Sequence, residues 1–410
     1  MTGPGATPAS YASALDELLR SSHLVAPDRL PEIAARSARW LGVTEMVVYL
    51  VDYEQTVLVP CPTPEAGRRE SLRIDATLAG NAFRRIAPQV SAAGGSRRVW
   101  VPLLDGVERL GVVEYVVATE GGDVPDALLG MLEQYAHLTA EVLVGKQAYT
   151  DHYEWVRRRE PMVLASEMQW NLLPPLTFGT TRVLISGLLA PAYEVGGDAF
   201  DYALNGSVAH VGIFDAMGHG LVAAQLSALA VGAYRNARRA GLGLEHTAVA
   251  LDEVLREQHG GERFVTAVLG QLDVDTGRLR WLSAGHPAPL LLRDSRVLGA
   301  LEMEPGRPLG LFDLGGGQPP GVHEESLQPG DRLLLFTDGV DEARGRDGSF
   351  FGMRRLADTV ATRSASREPT PEIMRRLMHA VLEHQQGRLQ DDATTLFVEW
   401  LTGKEQQLTM

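Results

Sequence analysis

Four acidic clusters punctuate the second half of the chain, each at the edge of an apolar, strand-like run with glycine close by. They read Val195-Gly196-Gly197-Asp198-Ala199-Phe200-Asp201, Phe214-Asp215-Ala216-Met217-Gly218-His219-Gly220, Leu335-Phe336-Thr337-Asp338-Gly339-Val340 and Gln390-Asp391-Asp392-Ala393-Thr394-Thr395. Strand ends that carry carboxylates beside permissive backbone gather the hard oxygen ligands preferred by Mg²⁺ and Mn²⁺. The clusters are spread over about two hundred residues, so only folding can unite them. They predict a composite site.

With 410 residues the chain has room for two or three domains, each with its own core. Its 45% hydrophobic and 22% charged content is that of a soluble globular protein. The 38 basic and 52 acidic side chains leave a formal charge of −14, which argues against a general nucleic-acid binder. The basic run Arg157-Arg158-Arg159 reads as the solvated face of a helix. A single cysteine, Cys61, rules out an internal disulfide, suits a reducing compartment, and reads as a small apolar residue. No apolar stretch reaches the roughly 18–20 residues of a membrane span. Residues 1–10 read as a disordered tail without signal-peptide character, and the expectation is a cytoplasmic protein.

Periodicity then divides the chain. Leu15, Leu18, Leu19, Leu30, Ile33, Ala34, Ala38 and Leu41 recur at helical spacing. Strands are predicted over Met46–Val51 and Thr56–Val59, a helix over Thr77–Arg85, and a hairpin of Arg98–Leu103 and Leu110–Val117 turning at Asp105-Gly106. A closing helix runs through Leu128, Leu132, Tyr135, Leu138 and Val142. This order resembles a GAF domain, which implies a sensor over 11–145 for an unidentified small-molecule or protein signal. A charged stretch over 146–173 predicts a linker helix, kinked or started at Pro161 and closed by Pro174-Pro175.

Beyond it, strands are predicted at Val183–Ser186, Val208–Phe214, Ala267–Asp273, Leu279–Ser283, Leu290–Leu292, Arg332–Phe336 and Thr394–Trp400. Long helices are expected at Leu221–Arg238, Leu244–Glu257, Phe351–Arg363 and Thr370–Gln385, the first of them after a sharp turn at Gly218 and Gly220. Periodicity alone gives a mixed α and β class.

The acidic motifs occur in order with Leu172-Leu173-Pro174-Pro175, Ala223-Ala224, Phe264-Val265-Thr266-Ala267, Ser283-Ala284-Gly285-His286-Pro287 and Pro308-Leu309-Gly310-Leu311. The set resembles the metal-dependent protein phosphatases of the protein phosphatase 2C superfamily, in the branch of SpoIIE and RsbU serine phosphatases. The resemblance implies an α+β protein: a GAF-like α/β sensor, a linker helix, and an αββα sandwich over 174–402. It implies two divalent ions, Mn²⁺ or Mg²⁺. Asp215 matches the bridging, catalytic aspartate, and the carbonyl of Ala216 matches a backbone donor. Asp338, also catalytic, and Asp391 match ligands of the first ion. Asp198 matches a ligand of the second, directly or through water, and Asp392 matches a supporting residue or a ligand to an extra ion. Asp201 is expected to stabilise its loop. His219 is expected to be structural or exposed, since Met217 stands where eukaryotic relatives place their histidine, and His286, in a Gly-His-Pro turn, is expected to be structural. Arg307 and Arg344 are candidate phosphate contacts.

Two rivals are weaker. Gly196-Gly197-Asp198-Ala199-Phe200 is one letter from the Gly-Gly-Asp-Glu-Phe of diguanylate cyclases, but Ala199 removes the glutamate and three other aspartates go unexplained. A silent docking scaffold would bury carboxylates without cations, which is costly. By resemblance the chain is expected to be a homodimeric protein-serine/threonine phosphatase. Its expected substrate is a phosphorylated STAS-type anti-sigma-factor antagonist, the opposing kinase being a separate chain. No nucleic-acid or membrane partner is expected.

Overall fold

Alternate residues of Val43–Val51 serve two cores, because successive side chains of a strand point to opposite faces. Met46, Val48 and Leu50 join one apolar cluster, and Val47, Tyr49 and Val51 join another. A strand buried on both faces requires a layer on each side. The computed structural model describes residues 7–401 apart from 64–65, 119–121, 194–195, 305, 314–317, 388 and 390. It divides into two compact units, Met1–Glu160 and Pro161–Met410.

In the first unit, helices α1 (Pro8–Ser22) and α2 (Leu30–Ser37) precede strands β1 (Val43–Val51), β2 (Val57–Pro60) and β3 (Leu72–Arg73). Helix α3 (Leu78–Arg85), strands β4 (Gln89–Ala93), β5 (Ser96–Asp105) and β6 (Glu108–Ala118), and helices α4 (Asp126–Gln147) and α5 (His152–Arg157) follow. The strands form one antiparallel sheet in the order β3-β2-β1-β6-β5-β4. Helices α1, α2 and α4 cover one face through Leu18, Ile33, Leu132 and Tyr135, and α3 covers the other through Ala79, Ala82 and Phe83. The hairpin turns at Asp105-Gly106 as predicted, with Gly106 at φ 56°. Cys61 is buried, which pushes its thiol up to about 12 and leaves it an inert apolar residue.

Three expectations change here. Of the predicted tail 1–10, residues 1–6 lie outside the described residues, and Thr7 instead caps α1, its hydroxyl accepting from the Ser10 amide. Pro8 at the first helical position, where no amide bond is lost, explains the early start. The stretch 146–173 is three pieces: the end of α4, the short α5, and a helix that starts at Leu164 beyond Pro161. Arg157 is not solely a solvated residue, since its guanidinium lies over the Tyr53 ring and donates to the Val51 carbonyl.

The second unit begins with α6 (Leu164–Leu172), β7 (Thr177–Gly179), β8 (Val183–Ala190), β9 (Asp198–Asn205) and β10 (Val208–Ala216). Next come α7 (Leu221–Arg239), α8 (Leu244–His259), β11 (Val265–Asp273), β12 (Arg278–Ala284), β13 (Leu290–Arg293), β14 (Arg296–Ala300) and β15 (His323–Ser326). The unit ends with β16 (Arg332–Phe336), α9 (Asp338–Asp341), α10 (Gly352–Ala365), α11 (Thr370–His384) and β17 (Ala393–Trp400). Two antiparallel sheets result, β15-β12-β11-β10-β9 and β14-β13-β16-β17-β8-β7. They pack face to face, with the Phe200 ring of the first lying against Gly187 of the second. Helices α7 and α8 cover the first sheet through Leu226, Tyr234 and Leu251, and α10 and α11 cover the second through Leu356, Val360, Ile373 and Leu377. The layering is the expected αββα sandwich. Among the described residues no helix is long and apolar enough to cross a membrane.

Candidate metal centre

Alternation decides where the acidic side chains of the first sheet point. On β10, Ala209, Val211 and Ile213 belong to the core between the sheets, while Phe214 and Ala216 belong to the core under α7 and α8. Asp215 therefore lies on the inter-sheet face. On β9, Phe200 is inter-sheet and Ala199 faces the helices, so Asp198 shares the face of Asp215. The two are direct register partners. Like charges set directly opposite across two strands are destabilising, so this pairing needs an external reason.

Asp201 falls on the opposite face of β9, and its environment is different. It is 1% exposed and accepts from Arg235 at 2.7 Å and from Arg238 at 2.7 Å. Arg235 also donates to the Leu172 carbonyl at 2.7 Å. Asp201 thus ties β9 to α7 and, through Arg235, to α6, where the sequence suggested only a loop support.

The second sheet supplies the remaining carboxylates. Phe336, at the end of β16, pairs with Thr395 near the start of β17. Asp338 and the pair Asp391-Asp392 consequently leave the same edge of that sheet. Gly339 permits the approach, because a side chain there would collide with the Asp392 carbonyl. Hydrogen bonds join the sheets at this end. The Thr337 hydroxyl donates to Asp198 Oδ2 at 2.5 Å, and Asp392 Oδ2 accepts from the Gly196 amide at 2.6 Å and from the Gly197 amide. One Asp392 oxygen is therefore engaged in holding the Gly-Gly-Asp loop; Val195 and Gln390 of these motifs lie outside the described residues.

Burial is graded across the centre. Asp198 is 2% exposed and Asp392 7%, Asp215 is half-buried, and Asp338 and Asp391 are exposed. Burial, then Asp338, Asp391 and Asp392, push the Asp215 carboxyl from 3.8 up to about 7. Burial raises Asp392 to about 6 against the opposing pull of the loop amides. Burial, then Asp215 and Asp392, hold Asp198 well above the usual carboxylate range. Asp338, though solvent reaches it, is raised by partial desolvation and then by Asp391. Among the described residues, the charged groups that shift these carboxylates are other carboxylates. Among the described residues no three acidic, histidine or cysteine side chains close around a single ion as they lie. The donor set is nonetheless all oxygen, with the Ala216 carbonyl beside it, and that chemistry fits hard divalent cations that retain waters.

Sequence reasoning missed four residues of this neighbourhood. Gln169 on α6 donates its amide to the Asp198 carbonyl, and Ser227 on α7 donates to the Gly197 carbonyl. Thr266 and Thr337 flank Asp215 and Asp198. Thr266 sat inside a quoted motif, but a threonine in a strand carries no signal of its own. His219 is exposed in the loop where Gly218 and Gly220 take φ of 91° and 74°, as the turn required. Arg307 is exposed, and Arg344 lies over the Phe350 ring.

Comparison with known proteins gives the following. Residues 205–401 match the family model of Stage II sporulation protein E (SpoIIE). The matched stretch includes Asp215, Asp338, Asp391 and Asp392 and begins after Asp198. The chain is 25% identical over 146 residues to Protein IcfG of Synechocystis sp., covering 35% of this chain and 22% of that protein. It is 23% identical over 265 residues to Phosphoserine phosphatase RsbU of Bacillus subtilis, covering 62% of this chain and 76% of that protein. The chain thus spans about a fifth of the first relative and three quarters of the second. Among solved structures, the SiaA-PP2C domain of Pseudomonas aeruginosa aligns at 25% identity and TM-score 0.48, over 58% of this chain and 94% of that one. The RsbU and RsbW domains of Rv1364c from Mycobacterium tuberculosis align at 27% identity and TM-score 0.47, over 54% and 62%.

Proposed function

We propose, from the match of residues 205–401 to the SpoIIE family model, that this chain carries a PP2C-type phosphatase domain and is a bacterial signalling phosphatase that removes phosphate from phosphoserine or phosphothreonine of a protein. The observation that carries the reading is the convergence of Asp198, Asp215, Asp338, Asp391 and Asp392 from two sheets, with mutual repulsion in place of ion pairing. Buried carboxylates of one sign are costly unless cations join them. Asp215 would lie between two ions, with Asp338 and Asp391 holding one and Asp198 the other, directly or through water; the Ala216 carbonyl would add a backbone oxygen, and Asp392 would support the site or hold an extra ion. Two divalent ions, Mn²⁺ or Mg²⁺, would there activate water and neutralise phosphate oxygens, as two-metal hydrolases do. The chain's own residues set the geometry: the β9–β10 register aligns Asp198 with Asp215, Thr337 orients Asp198, and Asp392 holds the Gly-Gly-Asp loop.

The substrate class we propose is a phosphorylated STAS-type antagonist of an anti-sigma factor; a likeness to a protein named phosphoserine phosphatase RsbU supports phosphoserine as the group attacked. We assign residues 11–145 of the first unit to a GAF-like sensor, on its central sheet with helices on both faces. The stretch 146–173 would couple it to the phosphatase within a cytoplasmic homodimer. The test is Mn²⁺-dependent phosphate release from p-nitrophenyl phosphate by the full chain. Release by the wild type and none by Asp215→Asn is expected; equal rates would overturn the reading.

A further inference from the structure

His286 is not among the carboxylates, yet its ring touches both halves of their scaffold. It is 2% exposed, in a turn where its amide donates to Ser283 Oγ at 3.1 Å and its carbonyl accepts from that hydroxyl at 2.7 Å. Nε2 lies 3.0 Å from the carbonyl oxygen of Phe336, two residues before Asp338. Nδ1 lies 2.7 Å from Thr266 Oγ1. Thr266 is the register partner of Asp215 on β11, and its Oγ1 stands 3.5 Å from Asp215 Oδ2.

These contacts fix the hydrogens. A carbonyl oxygen can only accept, so Nε2 carries the ring hydrogen. Burial keeps the imidazole neutral, its pKa brought down to about 4, so Nδ1 is a bare acceptor. The Thr266 hydroxyl has one hydrogen, and the short contact commits it to Nδ1. The contact to Asp215 Oδ2, at 3.5 Å, is at the long limit of a hydrogen bond, so of the two acceptors the nearer Nδ1 takes the single hydrogen.

We infer that His286 is a positioning residue that draws the Thr266 hydrogen away from Asp215, leaving both oxygens of that carboxylate as acceptors for divalent cations. The inference rests on the reading of Asp215 given above. A hydroxyl turned onto Asp215 would occupy a lone pair and compete with a cation for it. The same ring links β11, the strand paired with that of Asp215, to the end of β16, the strand that leads into Asp338.

The test is calorimetric titration of Mn²⁺ into the metal-free full chain. His286→Leu frees the Thr266 hydrogen and is expected to weaken Mn²⁺ about tenfold, the scale of a hydrogen bond to a charged group. Thr266→Val, which has no such hydrogen, should stay within about threefold of wild type, and the double variant should recover most of the loss. His286→Gln should behave as wild type, because its amide can donate to Phe336 O and accept from Thr266. A double variant no better than His286→Leu, or a His286→Leu unchanged, overturns the inference alone. Equal Mn²⁺ affinity in wild type and Asp215→Asn overturns the metal reading and this inference with it. Nitrogen-15 NMR of the wild-type histidines needs no variant to fold: hydrogen on Nε2 of His286 is expected, and hydrogen on Nδ1 would overturn the assignment.

Discussion

Each unit buries carboxylates on a sheet, and the two treat them in opposite ways. In the first, Glu114 on β6 is 1% exposed and meets Arg69 at 3.1 Å, Arg98 at 2.7 Å and the Tyr49 hydroxyl at 3.1 Å. In the second, Asp198 and Asp215 face one another, and burial and other carboxylates push both upward. The contrast repeats within one strand: three residues after Asp198, Asp201 is neutralised by Arg235 and Arg238. A carboxylate matched by arginine completes the fold. A carboxylate matched by carboxylates is stabilised only when a cation arrives, so it marks a site. Removing charge should therefore have opposite consequences in the two settings.

The largest effect is expected at the unmatched set. Asp215→Asn and Asp338→Asn should each lower Mn²⁺-dependent turnover by on the order of 10³-fold or more, since metal-assisted hydrolysis contributes several kcal/mol to the barrier. In the same Asp215→Asn protein, the metal-free form should unfold at a higher temperature than wild type, because one repelling charge is gone. Calorimetric unfolding with and without Mn²⁺ reads both signs. A metal-free variant less stable than wild type would remove the distinction between the two kinds of carboxylate.

At the matched set the sign reverses. Asp201→Asn leaves two guanidinium groups, Arg238 largely buried, without their countercharge. Breaking a buried pair from one side costs about 3 kcal/mol or more, so urea unfolding should shift by that amount. Mn²⁺ affinity should change far less than stability. An Asp201→Asn chain with wild-type stability would mean that the arginines find water or other partners, and the contrast along β9 would be lost.

What the sequence discloses follows the same division. Strands and helices with clean apolar periodicity, such as Val208–Ala216 and Leu221–Arg239, are legible to within a residue or two at most boundaries. Strand β9 was not, because aspartate at both 198 and 201 puts polar side chains on both of its faces and hides the alternation. The acidic residues of the centre are legible because carboxylates beside glycine at strand ends have few structural uses. Their cross-strand opposition is not, since register is a property of two strands and neither states it alone. Gln169, Thr266 and His286 are illegible for a further reason: their roles are hydrogen bonds to groups 29, 20 and 50 residues away. Over 146–173 a charged, helix-favouring composition conceals where the chain turns, and only Pro161 signals the break.

Smaller, but sharper in sign, is the pH response of the metal-free protein. Burial first of all pushes the Asp215 carboxyl from 3.8 up to about 7 in the fold, and Asp392 up to about 6. Between about pH 4 and pH 7 the native state therefore binds more protons than the unfolded chain, so stability falls as pH rises through that window. Cations compete with those protons. Mn²⁺ should raise the unfolding temperature most near pH 8 and least near pH 5. Asp215→Asn should flatten the metal-free slope. A metal-free chain that gains stability from pH 5 to pH 7 would mean that its carboxylates are neutralised from within, as Glu114 is.

The smallest effect is expected at the residue that most resembles a catalytic one. His219 follows Asp215 by four positions and sits in the exposed turn before α7. General acid catalysis by a positioned side chain contributes about 10²–10⁴-fold, and it needs the group held by fixed partners. The neighbouring glycines at positive φ hold the backbone, but an exposed imidazole is not oriented by them. His219→Ala should therefore change kcat by less than about threefold and leave the pH–rate profile in place. A hundredfold fall in kcat with loss of the alkaline limb would make His219 the proton donor to the leaving oxygen. It would also show that the centre depends on a side chain outside its carboxylates, and the division between matched and unmatched charge would no longer account for the chemistry by itself.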